Sequence, residues 1–239
     1  MNELDHAWLA TWIQPQHLRE QSLDVYRRTF AAHPARLLTL ESFLVPALAD
    51  RLTRFLEREA TFRQVYGLSS RGAYEVPESE WLAANADDRF ARYHVMDAVK
   101  PEFRLGANLL AYLKLRRAWS DQRMTAFFEQ LCGIRLGALH SYVHAMMPGD
   151  YLWPHDDVLD ARRLAYVLFL TRTWDLASGG ALTVAAGDNA WQVEPQYNTL
   201  VLFDVTAHDQ HSVGEIAGDR GDLLRLTWGG WIADAAGRS

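Results

Sequence analysis

The spacing of apolar residues changes near residue 134, and that change limits what this chain can fold into. Before it, apolar side chains recur at helical intervals: Leu23, Tyr26 and Phe30; Leu48, Leu52, Phe55 and Leu56; Met124, Phe127, Phe128 and Leu131. From Arg135 the period is two. Ala138, His140, Tyr142, His144 and Met146 share one face of a strand, and Leu139, Ser141, Val143 and Ala145 share the other. Further strands are expected at 163–170, 181–185, 190–193, 199–203, 212–216 and 223–232. Gly179-Gly180, Gly187-Asp188 and Gly218-Asp219 supply the turns between them. Many short strands after a helical half describe an α+β chain, a β-barrel or double-sheet jelly roll buttressed by helices. The 239 residues, 49% of them hydrophobic, suffice for one domain around a substantial core.

Within the helical half, residues 1–134, the pattern predicts a helix through Leu23 to Phe30, separated by Pro15 from the apolar pairs near Trp8 and Trp12. A strand is expected at 37–45 and a helix at 46–58, opened by Pro46. Residues 60–101 carry loop signals (Gly67, Ser69, Ser70, Gly72) and a short helix at 77–84. Two more helices follow at 102–117 and 120–132, the second capped by Ser120 and stopped by Gly133.

The formal net charge of −6 argues against nucleic acid as a partner, because phosphate binding needs clustered Lys and Arg. A single cysteine, Cys132, allows no internal disulfide. The N-terminus shows no basic segment followed by a long apolar core, and no run of roughly 18 apolar residues is present to span a membrane. These features lead us to expect a cytoplasmic protein with no membrane association.

The chemistry concentrates in Tyr151 to Phe169, YLWPHDDVLDARRLAYVLF. An imidazole and a carboxylate two residues apart, His155 and Asp157, reach one ion from the end of a strand. Two histidines and a carboxylate on one side of an ion leave its remaining positions open, the arrangement of non-heme Fe(II) oxygenases. His211, at the start of a later strand, is the preferred third ligand. Asp156 in place of Asp157, and His208 in place of His211, are the alternatives. An H-x-D pair alone is a weak signal, and Arg225 strengthens it. A charged side chain inside the apolar strand LLRLTWGGWI needs a partner. A dicarboxylate would supply one through a bidentate pair, with the Thr227 hydroxyl on the same face.

These pieces, PHDDVLDARRLAYVLFL, TRTWDLASGGAL, NTLVLF, HSV and RLTWGGW, resemble in order the Fe(II)/2-oxoglutarate-dependent dioxygenases, and within them the prolyl-hydroxylase-like group. The resemblance covers about residues 136–232, with LESFLVPALADRLTRFLE similar to the group's usual entry strand and helix. It implies a double-stranded β-helix over 135–232. It also implies His155, Asp157 and His211 as ligands of Fe(II), and Arg225 as the partner of the distal carboxylate of 2-oxoglutarate. The implied reaction consumes O2, converts 2-oxoglutarate to succinate and CO2, and hydroxylates a C–H bond. Some relatives add a tyrosine near that carboxylate. Tyr142, Tyr166 and Thr227 are the candidates here, and a rough alignment places Leu168 where such a tyrosine would stand.

The expected substrate is a prolyl or other residue of a protein or peptide, with a free amino acid or natural-product intermediate as the alternative. Trp153 is the best candidate to shape its pocket. The ribosomal-protein prolyl hydroxylases carry a second barrel, for which 239 residues leave no room. Halogenation is disfavoured because Asp157 occupies the position a halogenase clears for chloride. A metal-dependent hydrolase and a non-catalytic cupin-like module are the readings of other classes; neither needs Arg225.

Overall fold

The computed structural model describes residues 3–72, 74–158, 161–218 and 224–235. Its elements, in chain order, begin with α1 (Glu3–Leu9), α2 (Glu20–Ala32), β1 (Leu37–Leu40) and α3 (Pro46–Arg54). The chain continues through β2 (Ala60–Leu68), β3 (Glu75–Val76), α4 (Glu78–Ala83), β4 (Arg89–Val99), α5 (Ala107–Trp119) and α6 (Gln122–Cys132). The C-terminal half holds β5 (Leu136–Met146), β6 (Tyr151–His155), β7 (Arg162–Phe169), β8 (Leu182–Ala186), β9 (Asn189–Val193), β10 (Thr199–Asp204), β11 (Gln210–Val213) and β12 (Arg225–Asp234).

The strands pair antiparallel in the order β1-β10-β7-β12-β5-β4-β6-β11-β8-β9, with β2 on β4 and β3 on β2. The path curls into a half-barrel, the double-stranded β-helix expected from the resemblance. Its middle strands are buried on both faces, which explains their near-continuous apolar sequence. In β7, Leu164, Tyr166 and Leu168 face outward into the core shared with the helices. Ala165, Val167 and Phe169 face inward. The inner cluster also takes Val201 and Phe203 from β10, Val184 from β8 and Val213 from β11.

The helices cover the outer face. Met124, Phe127, Phe128 and Leu131 of α6 are all fully buried. Phe128 and Trp119 of α5 pack on Tyr166, and Trp119 also on Trp228. The cap of α6 differs from expectation. Asp121 caps it, its carboxylate accepting from the Arg123 N–H at 3.0 Å, whereas Ser120 ends α5. A serine one residue before an aspartate was the wrong choice because only the residue with extended backbone, here Asp121, aims its side chain at the free N–H groups. Gly133 ends α6 in the left-handed region, as expected. Asn198 ties sheet to entry segment: its side chain accepts from Leu44 N–H at 2.9 Å and donates to Leu44 C=O at 2.8 Å.

Residues 60–101 are the largest departure. Where glycines and serines signal loop, β2 and β4 form a long antiparallel pair that extends the sheet. The helix expected at 46–58 is α3 continued by the π-helical turn Phe55–Glu59, which leads directly into β2 at Ala60. Both strands are only partly buried and carry Arg, Gln, His and Asp among their apolar residues. That mixture conceals a period of two, and only pairing within the sheet reveals it. Strand β4 has a positional role: it pairs with β5 through His94 and Val95, and with β6 through Ala91 and Arg92. It therefore joins the two walls of the barrel beside the site.

Candidate metal and dicarboxylate site

Strands β6 and β11 lie side by side, and His155 is directly opposite His211 in their register. The pairing shifts between His211 and Val213, where Val213 meets Leu152. This irregularity lets Leu152 enter the inner core while His155, three residues on, still faces the same interior. Asp157 lies just beyond the end of β6 and is buried. One ligand atom from each of His155, Asp157 and His211 lies within 4.8 Å of the others. His211 Nε2 is 3.3 Å from Asp157 Oδ2, His155 Nε2 is 3.9 Å from Oδ1, and the two rings are 4.1 Å apart between centroids.

The surrounding hydrogen bonds decide which nitrogens carry protons. His155 Nδ1 is 3.0 Å from the Trp153 carbonyl, which only accepts, so the proton sits on Nδ1. The Nε2 lone pair is left facing Asp157. Burial, then the neighbouring His211, lowers the His155 pKa to about 4, so the ring is neutral and able to ligate. For Asp157 burial acts to raise the pKa. The neighbouring His211 and His155 and the Trp231 N–H outweigh it and bring the pKa to about 2. Its carboxylate also accepts from Arg162 Nη1 at 2.9 Å and from Trp231 Nε1, and Arg162 lies flat over the Trp231 ring at 3.7 Å. Two imidazoles and one ionised carboxylate, positioned from outside the triad, form a ligand set for a divalent first-row metal.

Further inside the barrel Arg225 is only 3% exposed. Its Nε donates to the Gly180 carbonyl at 2.7 Å, and its guanidinium lies 5.0 Å from the Phe169 ring centroid. Gly180 is required here: its φ is +72°, and a Cβ would stand 3.0 Å from Trp174 and 3.2 Å from Arg225. Among the described residues no carboxylate lies within ion-pair distance of Arg225. Burial lowers its pKa to about 9, and Glu194, the charge acting to raise it, does not reach the guanidinium. Thr227 is 3% exposed on the same face of β12 and is opposite His144 of β5. Burial, then the Arg225 charge, brings the His144 pKa to about 4. A buried cation with open donors, flanked by a hydroxyl and a neutral imidazole, fits the carboxylate of a bound dicarboxylate. The residues present therefore suit Fe(II) and 2-oxoglutarate together.

The structure sorts the remaining candidates. Asp156 is exposed and accepts only a 3.4 Å contact from the Val158 N–H. His208 is not a member of the triad; it hydrogen-bonds His211. Tyr142 shares the face of β12 that bears Arg225, but it is 48% exposed and packs edge-on to Trp231 at the mouth. Tyr166 and Leu168 are excluded as carboxylate partners, because both point outward into the helix-covered core. The Tyr166 hydroxyl donates to the His140 carbonyl instead. The Trp153 ring packs at a tilt against Tyr151, with centroids 4.9 Å apart, and Phe90 of β4 is set edge-on to His155 at 5.3 Å. Sequence reasoning missed Phe90, Arg162 and Trp231 as neighbours of the triad. Phe90 and Trp231 reach it from strands remote in sequence, and Arg162 from the first position of β7.

Residues 141–233 match the family model described as the 2OG-Fe(II) oxygenase superfamily. Over 90 residues the chain is 35% identical to the prolyl 3-hydroxylase OGFOD1 of Xenopus laevis, covering 35% of this chain and 17% of that protein. Over 145 residues it is 26% identical to the prolyl 3-hydroxylase sudestada1 of Drosophila melanogaster, covering 55% of this chain and 25% of that protein. The chain thus matches a quarter or less of the length of these curated relatives. Among solved structures, a prolyl-4-hydroxylase of Pseudomonas putida superimposes with a TM-score of 0.58 at 19% identity, covering 89% of this chain and 98% of that one. A prolyl hydroxylase of Trichoplax adhaerens, in complex with a hypoxia inducible factor peptide fragment, gives 0.56 at 13% identity, covering 92% and 96%. Over residues 141–233 the chain is thus similar to the 2OG-Fe(II) oxygenase superfamily, it shares the fold of these prolyl-hydroxylase structures, and it carries a His-Asp-His cluster.

Proposed function

We propose that this chain is an Fe(II)- and 2-oxoglutarate-dependent hydroxylase acting on prolyl residues of a protein or peptide. The observation that carries the proposal is the pairing, in one barrel, of a triad with open positions and a buried arginine that has no carboxylate partner among the described residues. A metal-dependent hydrolase would have no use for Arg225. The prolyl assignment draws on the names of the relatives and on the aromatic residues at the mouth, Phe90, Tyr142 and Trp231, which offer flat apolar surface to a pyrrolidine ring.

His155 and His211 offer Nε2 lone pairs, and Asp157 offers a carboxylate oxygen, as ligands of Fe(II). Arg225, with the Thr227 hydroxyl beside it, would hold the distal carboxylate of 2-oxoglutarate and so set the direction from which its other end approaches the triad. The bound metal, with 2-oxoglutarate and O2, supplies the oxidising power that turns a C–H bond into C–OH while 2-oxoglutarate becomes succinate and CO2. Val184, Val201, Phe203 and Val213 exclude water from the space around these residues. Arg162 and the Trp231 N–H keep Asp157 ionised and oriented throughout.

The decisive experiment is anaerobic addition of Fe(II) and then 2-oxoglutarate, followed by the weak visible charge-transfer band of the chelate. The wild type should show the band, and His211→Ala should abolish it. Arg225→Ala should raise the 2-oxoglutarate concentration needed by about 100-fold or more, since a buried charged hydrogen-bonded pair is lost. Absence of the band in folded, iron-loaded protein would reject the proposal. Prolyl-containing peptides should then gain one oxygen, read by mass spectrometry. Oxidation of a free amino acid and not of peptides would leave the chemistry standing and reject the substrate.

A further inference from the structure

His208 stands outside the ligand set but touches it. Its Nε2 is 3.0 Å from His211 Nδ1, and its own Nδ1 is 3.1 Å from the Asp204 carbonyl. The carbonyl only accepts, so the His208 proton lies on Nδ1 and its Nε2 is an acceptor. An acceptor at that position requires His211 to carry its proton on Nδ1. In the neutral ring Nε2 is then bare, the nitrogen 3.3 Å from Asp157 Oδ2 and part of the ligand cluster. We infer that His208 is a positioning residue, which fixes His211 in its ligating tautomer before any metal arrives. The inference rests on the proposed role of His211 as a metal ligand.

The anchor of this relay is rigid. Asp204 ends β10 and is fully buried. Its carboxylate accepts from Arg163 at 2.9 Å and Arg36 at 3.4 Å, and from the Thr206 N–H and hydroxyl at 2.9 and 2.7 Å. Four donors on the side chain hold the backbone carbonyl that orients His208. His208 itself is 7% exposed and lies edge-on to Phe203, with ring centroids 5.2 Å apart. His211 is also 7% exposed, so water is a poor substitute partner for its Nδ1–H. The two ligand histidines thereby receive the same treatment by different means. His155 gives its Nδ1–H to a backbone carbonyl, and His211 gives its own to a second imidazole held by one.

The test compares Fe(II) binding, measured anaerobically without cosubstrate, in the wild type, His208→Leu and His208→Gln. Leucine removes the acceptor; glutamine places an amide oxygen near the position of Nε2. We expect His208→Leu to bind Fe(II) about 10-fold or more weakly, the lower end of outer-shell effects. His208→Gln should recover most of the affinity. Wild-type affinity in folded His208→Leu, or equal weakness in folded Leu and Gln variants, overturns the inference while the triad stands. A wild type that binds no Fe(II) overturns the reading of the triad itself. The 15N–1H correlation pattern of the metal-free wild-type histidines needs no variant: Nδ1–H on both His208 and His211 supports the relay, and Nε2–H on His211 overturns it.

Discussion

At the scale of single residues, Arg225 shows how environment identifies a ligand. A guanidinium this deeply buried costs several kcal/mol without an anionic partner. Its Nε is satisfied by Gly180, and its outer face is left for a carboxylate. Gly180→Ala should therefore act on the cosubstrate and not on the metal. The added methyl meets Trp174 and Arg225 and strains a backbone at φ +72°. We expect 2-oxoglutarate affinity to fall about 10-fold or more with Fe(II) affinity nearly unchanged, measured by titrating each separately; equal loss of both would contradict this. The ligand residues were legible because a strand pattern followed by H-x-D, a later histidine and a buried arginine leaves little else for them to do. The tautomer of His211 was not legible. It depends on His208 and the Asp204 carbonyl meeting at hydrogen-bond distance, and sequence spacing alone made His208 a rival ligand.

At the scale of elements, helix α6 and strand β7 illustrate burial on two sides. Phe127 and Phe128 fill the space between α6 and the outer sheet face, and neither touches the triad. Phe127→Ala should cost about 3–5 kcal/mol of stability by chemical denaturation, with Fe(II) affinity unchanged in the folded fraction. The stripe of α6 and the apolar run of β7 were readable because a single period governs each. Strands β2 and β4 were not, because their polar residues sit on half-exposed faces where partner strands, and not burial, define the structure. The unread strands matter to the site: β4 carries Phe90 to the edge of His155 and pairs with both β5 and β6.

At the scale of the whole molecule, the barrel keeps neutral histidines in its interior, and that couples stability to pH. His144 has a folded pKa of about 4 against an ordinary value of 6.5. Between those values the unfolded chain holds the proton and the folded one does not. Stability therefore falls as pH drops through 6.5 toward 4. The contribution between pH 6.5 and 5 is about 1–2 kcal/mol. Urea unfolding of metal-free protein at pH 7 and pH 5 should show the loss, and His144→Leu should show less of it. Asp157, held at about 2, acts with the same sign in a lower window: its stabilisation is present above 3.8 and is lost as pH falls toward 2. Among the described residues no helix is long and apolar enough to cross a membrane. The one cysteine, Cys132, is buried in α6, where burial pushes its thiol pKa up.

The sequence by itself determined most of the helices, the C-terminal strands and most of the turns between them, and the candidate residues for a metal and a carboxylate, His155, Asp157, His211 and Arg225. Each of these is written in local spacing: a period of 3.6 or 2, a glycine with positive φ, an H-x-D at a strand end. The tertiary structure decided which side of each strand faces the barrel, and so removed Tyr166 and Leu168 from the cosubstrate pocket. It also decided which side chains outside the triad hold it in place. Arg162 and Trp231 reach Asp157, Phe90 reaches His155, and His208 reaches His211. The physical reason is that hydrogen bonds and ring contacts act over a few ångströms in space. Only the closing of the sheet brings strands distant in the chain within that range.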